Sequence, residues 1–589
     1  MSLRKSTKEQ LPGVTTGIMG EKEAKAYPEK EGSKKAGYII GALIIVMMVV
    51  LYPGNSDMFT SGPKGPPEDL SAVTWNMAAI NNNPFEYWIT NDDPKYGQLM
   101  EDVSEFINNP GDKDVPVSAV FTPAMFEELC TAMTAAGFKD VDQVKTRWET
   151  EYKDRKIISE FIKDGTLGKK RLASMPDRYT NTIITADTPA RTVTRPTVIN
   201  CYDDDLGSVE KWWQAWKTFV FETEVVVKDR KGEVGSKKIK DMFSPIKNSK
   251  YPAITVEEEA ISIPLQTMCG AIFDAILVHM MTVLAPDSWQ GLRTGMCDKL
   301  NRKKNHRTVE ILETTYKDAD IQFLQEVAAT FIDAAGARPL VTTHFDLHYP
   351  LAIDKDRNQN SLILLKKGMF TDVEEVTAKV IQKDAEAATA AGKEAAPLSN
   401  GDLFVVFATR VKDNAKFILA SFHGDTNGLA TIPVVTAVKN FAMAEASDRY
   451  MLFGMDANTY ETPSKDQQGV TPFASWYTSE KMNSCYGPTP NPKNYTTFHA
   501  RTYLQPQLNK AIKYSEKDVK GDKNPKDFIV FWDKDYIVRS TTKDNTGAGV
   551  YTEGMVFPTL AFPSDHGITW TSLALKPAVD LGKPTSLRH

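Results

Sequence analysis

The chain has few cysteines, no excess of basic residues and little continuous apolar sequence. Its five cysteines, among 589 residues, show no spacing typical of a zinc site; they exclude a disulfide-dense scaffold but are compatible with one or two disulfides. The formal net charge of -6 excludes a global positive field, so any nucleic-acid binding would be local. An apolar content of 41% with 25% charged residues excludes overall disorder and is typical of a globular protein.

The N-terminal segments predict a tethered protein. Residues 1–35 are polar and rich in Lys and Glu, which is typical of a disordered tail. Residues 36–53 are uncharged and contain a long apolar run, and they predict a single membrane-spanning helix close to the lower length limit of about 17 residues. A cleaved signal peptide and a buried core helix are the alternatives. Residues 54–70 are rich in Pro and Gly and predict a linker.

The charges beside this span predict its orientation. Lysines precede it and acidic residues follow it, so we expect a cytoplasmic N-terminus and a lumenal or extracellular main domain. Residues 71–84 and 286–589 are predicted to form that domain, and the mainly helical pattern of 85–285 predicts an insertion within it. The apolar stretch 261–285 contains Asp274, so we expect a buried helix rather than a second span.

Six short motifs place polar side chains at the ends of strand-like apolar runs or in the turns beside them. Such ends can meet at one edge of a sheet, so we expect a single site. The last motif puts an acid beside an imidazole in a turn flanked by Pro and Gly, where side chains can be directed at a substrate. The motifs are Trp75-Asn76, Leu324-Gln325-Glu326, Phe422-His423, Asp456-Ala457-Asn458, Asp527-Phe528-Ile529 and Ser564-Asp565-His566.

In this order the six motifs resemble the endonuclease/exonuclease/phosphatase superfamily, which has the DNase I-like fold. The resemblance covers residues 71–77 and roughly 308–572. It implies an α/β fold, a four-layered α/β/β/α sandwich of two mixed sheets with outer helices, and metal-dependent hydrolysis of phosphoesters. The family usually has Gly-Asp-x-Asn, whereas Met455 here separates Gly454 from Asp456.

The resemblance implies a metal site. Glu326 is the first expected ligand, with Asn76 and Asp565 as further ligands or close neighbours. Mg²⁺ is the expected ion because it takes carboxylate oxygens together with water and substrate phosphate, and Mn²⁺ is an alternative. The structural alternatives are a solvated acid at a strand end for Glu326 and a turn cap for Asn76.

The resemblance also implies the catalytic groups His423, Asp456, Asn458, Asp527 and His566. Asp456 and Asn458 lie two residues apart, so an extended segment would point both to one side, where one could orient the attacking water and the other hold a phosphate oxygen. Asp527 would fix the tautomer of His566 as general acid/base. An Asx-turn and buried core histidines are the structural alternatives.

Substrate contacts are expected from Asn360 and Arg501, and a structural salt bridge is the alternative for Arg501. Family members place a glutamate before the strand that begins near 361 to orient the second histidine, and this chain has Gln359-Asn360 instead. We expect a nuclease-like phosphodiesterase, with nucleic acid or phospholipid as partner. The alternatives are a phosphatase or phospholipase acting on inositol-phosphate or sphingolipid head groups, and a catalytically silent, membrane-tethered interaction module.

Overall fold

The computed structural model describes residues 69–172, 182–229, 232–355, 358–498, 501–502 and 522–576. The predicted tail and membrane span therefore lie outside the described residues, as does the linker except for its last two positions, which begin the first strand. The described ranges contain most of the predicted main domain and most of the predicted insertion between its two parts.

Eighteen strands occur in the described part of the chain, and twelve of them form two six-stranded sheets. They are β1 (Asp69–Asn76), β2 (Tyr87–Trp88), β3 (Thr182–Ile184), β4 (Thr192–Thr194), β5 (Glu224–Lys228), β6 (Val234–Lys238), β7 (Ile321–Val327), β8 (Phe345–His348), β9 (Asn360–Lys366), β10 (Phe370–Glu375), β11 (Leu403–Arg410), β12 (Lys416–His423), β13 (Tyr450–Asp456), β14 (Met482–Ser484), β15 (Arg501–Thr502), β16 (Asp527–Trp532), β17 (Tyr536–Asp544) and β18 (Ile568–Leu575).

Thirteen α-helices accompany these strands in the same described ranges. They are α1 (Pro94–Asn108), α2 (Pro123–Ala135), α3 (Val141–Arg147), α4 (Gly165–Lys170), α5 (Val209–Lys217), α6 (Val256–Ala260), α7 (Ser262–Leu284), α8 (Trp289–Cys297), α9 (Lys304–Thr314), α10 (Thr330–Gly336), α11 (Thr377–Ala390), α12 (Thr431–Glu445) and α13 (Val470–Ser479). Short 3₁₀ turns at Gly111–Lys113, Val117–Ala119 and Ile239–Met242, and π turns at Trp148–Tyr152, Ile157–Ile162, Thr218–Glu222, Asp298–Arg302 and Leu340–His344, connect or extend them.

The first sheet has the order β17-β18-β1-β7-β9-β8, and the second has the order β10-β11-β12-β13-β16-β14. In the first, β1 runs parallel to β7, which sets Asn76 opposite Gln325. In the second, β13 runs parallel to β12 and antiparallel to β16, so Asp456 lies opposite both His423 and Asp527. Strand register alone thus brings the polar ends of several motifs together.

The two sheets pack face to face, with helices on both outer faces. Apolar residues of β1, β7 and β9 meet those of β11, β12, β13 and β16 between the sheets. The outer face of the first sheet is covered by α9 and α10, and that of the second by α11, α12 and α13. At Gly454 the sheets leave no room for a side chain, because an added Cβ would lie 2.4 Å from Cγ of Phe323. This is the predicted four-layered sandwich.

Between β1 and β7 the chain builds a second, mainly helical core. Its apolar cluster draws on residues from Phe85 to Met296. Within the described residues one helix, α7, is long and apolar enough to cross a membrane. Of its most apolar 18-residue stretch, however, 72% is buried inside the protein. Asp274 on α7 accepts hydrogen bonds from Thr197 at 2.8 Å and Trp216 at 3.0 Å. As expected from the acid in its sequence, α7 is a buried helix; the proposed domain boundaries stay a prediction.

A disulfide joins the middle of this helical region to the residue that follows its last core position. Cys201 and Cys297 are bonded across a sequence separation of 96, with their Cα atoms 5.5 Å apart. Cys297 ends α8, and in the turn after it Arg302 donates to the carbonyl of Cys201 and forms an ion pair with Asp203. The bond therefore fixes the segment that leads into α9.

Candidate active site

Asn76 and Glu326 end two neighbouring strands and are joined by a hydrogen bond. A bulge interrupts the pairing of β7 with β9 between Leu324 and Val327, and Glu326 lies within it at a φ of 51°. Nδ2 of Asn76 donates to Oε1 of Glu326 at 3.0 Å, and the backbone N–H of Ala79 donates to Oε2 at 2.9 Å. The bulge turns this carboxylate out of the strand pattern, and left-handed backbone at a non-glycine residue is common at functional sites.

Asp456 links the two sheets at the same edge. Its Oδ2 accepts a hydrogen bond from Nδ2 of Asn76 at 2.9 Å, and its Oδ1 accepts one from the backbone N–H of Asn458 at 2.8 Å. Nε2 of His423 lies 3.2 Å from Oε1 of Glu326 and 3.7 Å from Oδ2 of Asp456. The amide of Asn76 thus holds two carboxylates of different sheets beside one imidazole.

His566 completes the cluster from the turn before β18. Its Nδ1 lies 2.9 Å from Oδ2 of Asp527, and its Nε2 lies 3.7 Å from Oδ2 of Asp456. Its backbone is fixed at both ends, since Trp75 donates to its carbonyl at 3.0 Å and its own N–H donates to the hydroxyl of Ser564 at 3.0 Å. The ring can therefore use Nδ1 for Asp527 while Nε2 faces the other acids.

These contacts set the charges of the site. Burial would raise the pKa of Glu326, but His423, Asn76 and the N–H of Ala79 outweigh it and lower that pKa to about 2. Burial would lower the pKa of His566, but the charges of Asp527 and Asp456 raise it to about 10. Near neutral pH the site therefore combines an ionised carboxylate with a charged imidazolium.

Two groups of acids and imidazoles could hold a metal ion in the described residues: Glu326 with His423 and Asp456, and Asp456 with Asp527 and His566. Within each group the donor atoms lie within 4.8 Å of one another. The carboxylate donors fit Mg²⁺ or Mn²⁺, whereas an imidazole donor is more typical of transition-metal ions. His423, which the sequence placed among the catalytic groups, thus stands among the possible ligands.

The other two predicted ligands are placed differently. Asn76 presents its amide nitrogen to Glu326 and Asp456, while its Oδ1 accepts from the N–H of Ala78 at 2.9 Å. In this arrangement the amide nitrogen positions both carboxylates, and the amide oxygen is engaged by a backbone N–H. Asp565 is half-buried and belongs to neither group; burial raises its pKa, and the charge of Glu326 adds to this.

The two predicted substrate contacts do not gain support from the described residues. Asn360 is buried, donates to the carbonyls of Val327 at 3.2 Å and Asp354 at 2.9 Å, and accepts from the N–H of Asp354 at 2.8 Å. Its amide is taken up by these contacts, so we assign it the task of holding the end of β7. Gln359 instead reaches the site, donating to Oε2 of Glu326 at 3.2 Å. The side chain of Arg501 lies outside the described residues.

Several site residues escaped the sequence analysis. The hydroxyl of Thr496 accepts hydrogen bonds from the N–H groups of Lys526 at 2.8 Å and Asp527 at 3.1 Å. Lys526 is buried and pairs with Asp522 at 3.0 Å. Burial would lower its pKa, but Asp522 and Asp456 raise it. No local pattern marks a buried Thr or Lys, although the adjacency of Lys526 to the Asp527 motif is a signal that could have been used.

The described residues have the DNase I-like fold, the four-layered sandwich that the motif order predicted, and polar side chains of the motifs meet at one edge of it. Among solved structures, the chain is similar to the human Nocturnin catalytic domain with bound sulfate (13% identity, TM-score 0.31, covering 47% of this chain and 89% of that one). It is also similar to D. rerio TDP2 complexed with a single-strand DNA product (10% identity, TM-score 0.30, 46% and 91% covered).

A third similar structure is an endonuclease/exonuclease/phosphatase from Bacteroides vulgatus (14% identity, TM-score 0.32, 47% and 94% covered). The family described as Domain of unknown function (DUF8234) matches residues 114–294, which belong to the helical region. No curated protein matches the sequence.

Proposed function

We propose that the chain is a divalent-metal-dependent hydrolase of phosphodiester bonds. One observation carries this proposal: acids, amides and imidazoles from both sheets converge at one edge of the sandwich. They form one connected network in which Asn76 bonds to Glu326 and Asp456 while Asp456 adjoins His423 and His566. Phosphoester hydrolysis needs stabilised charge on both the attacking and the leaving oxygen, and such a network supplies groups of both signs.

Glu326, Asp456 and His423 are the residues that would hold the cation. The cation would supply Lewis-acid stabilisation of phosphate charge when bound. Mg²⁺ is our first choice because two of the three donors are carboxylates, and Mn²⁺ is the alternative because it accepts imidazole more readily. A depressed pKa keeps Glu326 ionised and ready to bind over the whole neutral range.

The chain's own groups would carry the proton and charge movements. His566, charged at Nε2 and held at Nδ1 by Asp527, is placed to donate a proton or a hydrogen bond to a phosphate oxygen. Asp456 is placed to orient a water molecule, since its Oδ1 is fixed by the N–H of Asn458. Asn458, whose backbone has a φ of 45°, is the residue that we propose contacts the phosphate through its amide.

The test of this proposal is hydrolysis of a model phosphodiester, bis(4-nitrophenyl) phosphate, by the full chain with Mg²⁺. We expect turnover that is lost on chelation and falls at least about 100-fold in Glu326→Ala. Equal background rates in both proteins would end the hydrolase proposal and leave the silent interaction module.

The substrate class is best identified by comparing hydrolysis rates over a panel of substrates. The basic residues before α9 are partly neutralised, because Arg302 pairs with Asp298 and Asp203 while Lys303 lies 3.8 Å from Asp298. This speaks against a strong local patch for nucleic acid, so single-stranded DNA and RNA should be compared with phosphoinositide and sphingomyelin. Preference for a lipid head group would favour the phosphatase or phospholipase alternative.

We also propose that the described domain faces an oxidising compartment. The bond between Cys201 and Cys297 supports this, because disulfides persist in lumenal and extracellular proteins and are rare in the cytosol. The membrane span expected at residues 36–53 would then tether the domain. Protease protection in microsomes tests the topology: we expect the large domain to resist cleavage until detergent is added, and cleavage without detergent would refute it.

A further inference from the structure

Lys304 is a buried cation at the edge of the site. It begins α9, is only 4% exposed and donates from Nζ to the carbonyl of Ala79 at 3.2 Å. It forms no ion pair with any residue that the structure describes. Its neighbour Lys303, by contrast, has a side chain that is 63% exposed. Burial is therefore particular to Lys304 and not a property of the whole basic segment.

Lys304 and Glu326 both bond to the backbone of one residue, Ala79. The carbonyl of Ala79 accepts from Lys304, and the N–H of the same residue donates to Oε2 of Glu326 at 2.9 Å. Burial lowers the pKa of Lys304 to about 8, although the charges of Asp565 and Glu326 act to raise it. The two carboxylates thus compensate only part of the cost of burying this charge.

A buried ammonium with three donors, one protein acceptor and no direct ion pair among the described residues is only partly compensated. We propose that Lys304 contacts the substrate and binds a phosphate oxygen on the side of the site formed by Glu326 and Asp565. Lysine serves as a point charge for phosphate, which would supply the missing negative charge and accept a remaining donor. The inference rests on the proposed function, since it assigns a further substrate-binding residue to that site.

The geometry gives Lys304 and His566 complementary positions. His566 approaches the acids from the Asp527 side, whereas Lys304 approaches from the Ala79 side of Glu326. A phosphate group bound between two cations would have its charge balanced from both directions. Such an arrangement explains why a lysine at the start of a helix of the first sheet's outer layer is directed inward rather than to solvent.

The experiment compares two variants with a matched control. Lys304→Gln removes the charge and keeps a donor for the carbonyl of Ala79, Lys304→Met removes both, and Lys303→Met removes an exposed charge from the adjacent position. Circular dichroism melts confirm that each full-length variant folds. Isothermal titration calorimetry then measures the affinity of each protein for inorganic phosphate in saturating Mg²⁺. A separate titration measures the affinity for Mg²⁺ alone.

We expect both Lys304 variants to bind phosphate at least about 10-fold more weakly than the unchanged protein and Lys303→Met. Mg²⁺ affinity should be unchanged or higher, because a cation near Glu326 has been removed. Unchanged phosphate affinity in either variant overturns the inference, as does a parallel loss of both affinities, which would indicate that Lys304 only fixes Ala79. Absence of phosphate binding to the unchanged protein overturns it too.

Kinetics on bis(4-nitrophenyl) phosphate separates this inference from the proposed function. We expect Lys304→Gln to raise KM about 10-fold with a smaller change in kcat. Hydrolysis with unaltered kcat and KM in Lys304→Gln would refute the role of Lys304 while the hydrolase stands. If the protein binds phosphate through Lys304 but hydrolyses no phosphodiester, Lys304 is an anion-binding residue and the proposed hydrolase function is wrong.

Discussion

Nδ1 of His566 lies 2.9 Å from Oδ2 of Asp527 and thereby joins the two sheets, since Asp527 begins β16 of the second sheet and His566 lies just before β18 of the first. Asp527 is fully buried, and His566 is 5% exposed. The pair therefore links the orientation of a charged imidazole directly to the packing of the sandwich.

Asp527→Asn tests this link. The amide cannot stabilise the imidazolium of His566 and can favour the wrong tautomer, so kcat should fall about 10²- to 10⁴-fold with little change in KM. Steady-state kinetics on bis(4-nitrophenyl) phosphate measures the effect, and the exposed Asp466→Asn is the matched control. A kcat within twofold of the unchanged protein would remove His566 from the catalytic groups.

Glu326→Gln tests the metal site apart from catalysis. Replacing the carboxylate removes a charged donor while it keeps the side-chain shape, so Mg²⁺ affinity should fall at least about 10-fold. Isothermal titration calorimetry without substrate is the measurement, with the exposed Glu394→Gln as control. Equal affinities in the two variants would place the cation elsewhere.

Gly454→Ala tests the contact between the sheets. An added Cβ would lie 2.4 Å from Cγ of Phe323, so the sheets must separate or the ring must move, and unfolding free energy should fall by about 1–3 kcal/mol. Gly235→Ala in the exposed strand β6 is the control, because its Cβ would have nothing within 4 Å. Combining Gly454→Ala with Phe323→Leu should restore part of the loss; no loss in chemical denaturation would contradict the packing.

The disulfide should contribute to the stability of the helical region. Its ends are separated by 96 residues, and closing a loop of that size stabilises a folded domain by about 2–5 kcal/mol. Cys201→Ser combined with Cys297→Ser should lower the thermal unfolding midpoint, and reductant should have the same effect on the unchanged protein. Reductant should not destabilise the double variant further; if it does, another cysteine pair is involved.

His279 on α7 should make stability depend on pH. Burial lowers its pKa below the ordinary value of 6.5, so the unfolded chain binds a proton more readily than the folded one. The contribution of His279 to unfolding free energy is therefore fully present above about pH 6.5 and is lost as the pH falls below that value. Comparing His279→Gln with the unchanged protein from about pH 5 to 7.5 measures it: the difference between them should narrow toward acid, and a constant difference would show that His279 is solvated.

The motif order was sufficient to predict the sandwich, and it named residues that meet at the candidate site, whose roles stay predictions. Strand ends at Asn76, Glu326, Asp456 and Asp527 could be found because each adjoins an apolar run of the right length. Their convergence depends on register, such as the pairing of Asp456 with both His423 and Asp527, and that became visible only in the structure.

Other features depend on long-range packing and could not be predicted. Residues 340–344 have the apolar, β-branched character of a strand, but they form a π turn and the strand begins at Phe345. Pro339 lies at the start of that turn with a helical φ of -51°, which favours helical continuation. The burial of Lys304 likewise depends on a backbone carbonyl contributed from 225 positions away.

The pairing of β1 with β18 has a consequence for how the protein is made. Trp75 on β1 donates a hydrogen bond to the carbonyl of His566, which lies 491 positions later in the sequence. In the sheet, β1 lies between β7 and β18. A ribosome releases the chain from its N-terminus, so β1 cannot pair with β18 until almost all of the sequence has emerged. The candidate site is therefore incomplete for most of the chain's synthesis, and a protein that stops before residue 566 cannot assemble it.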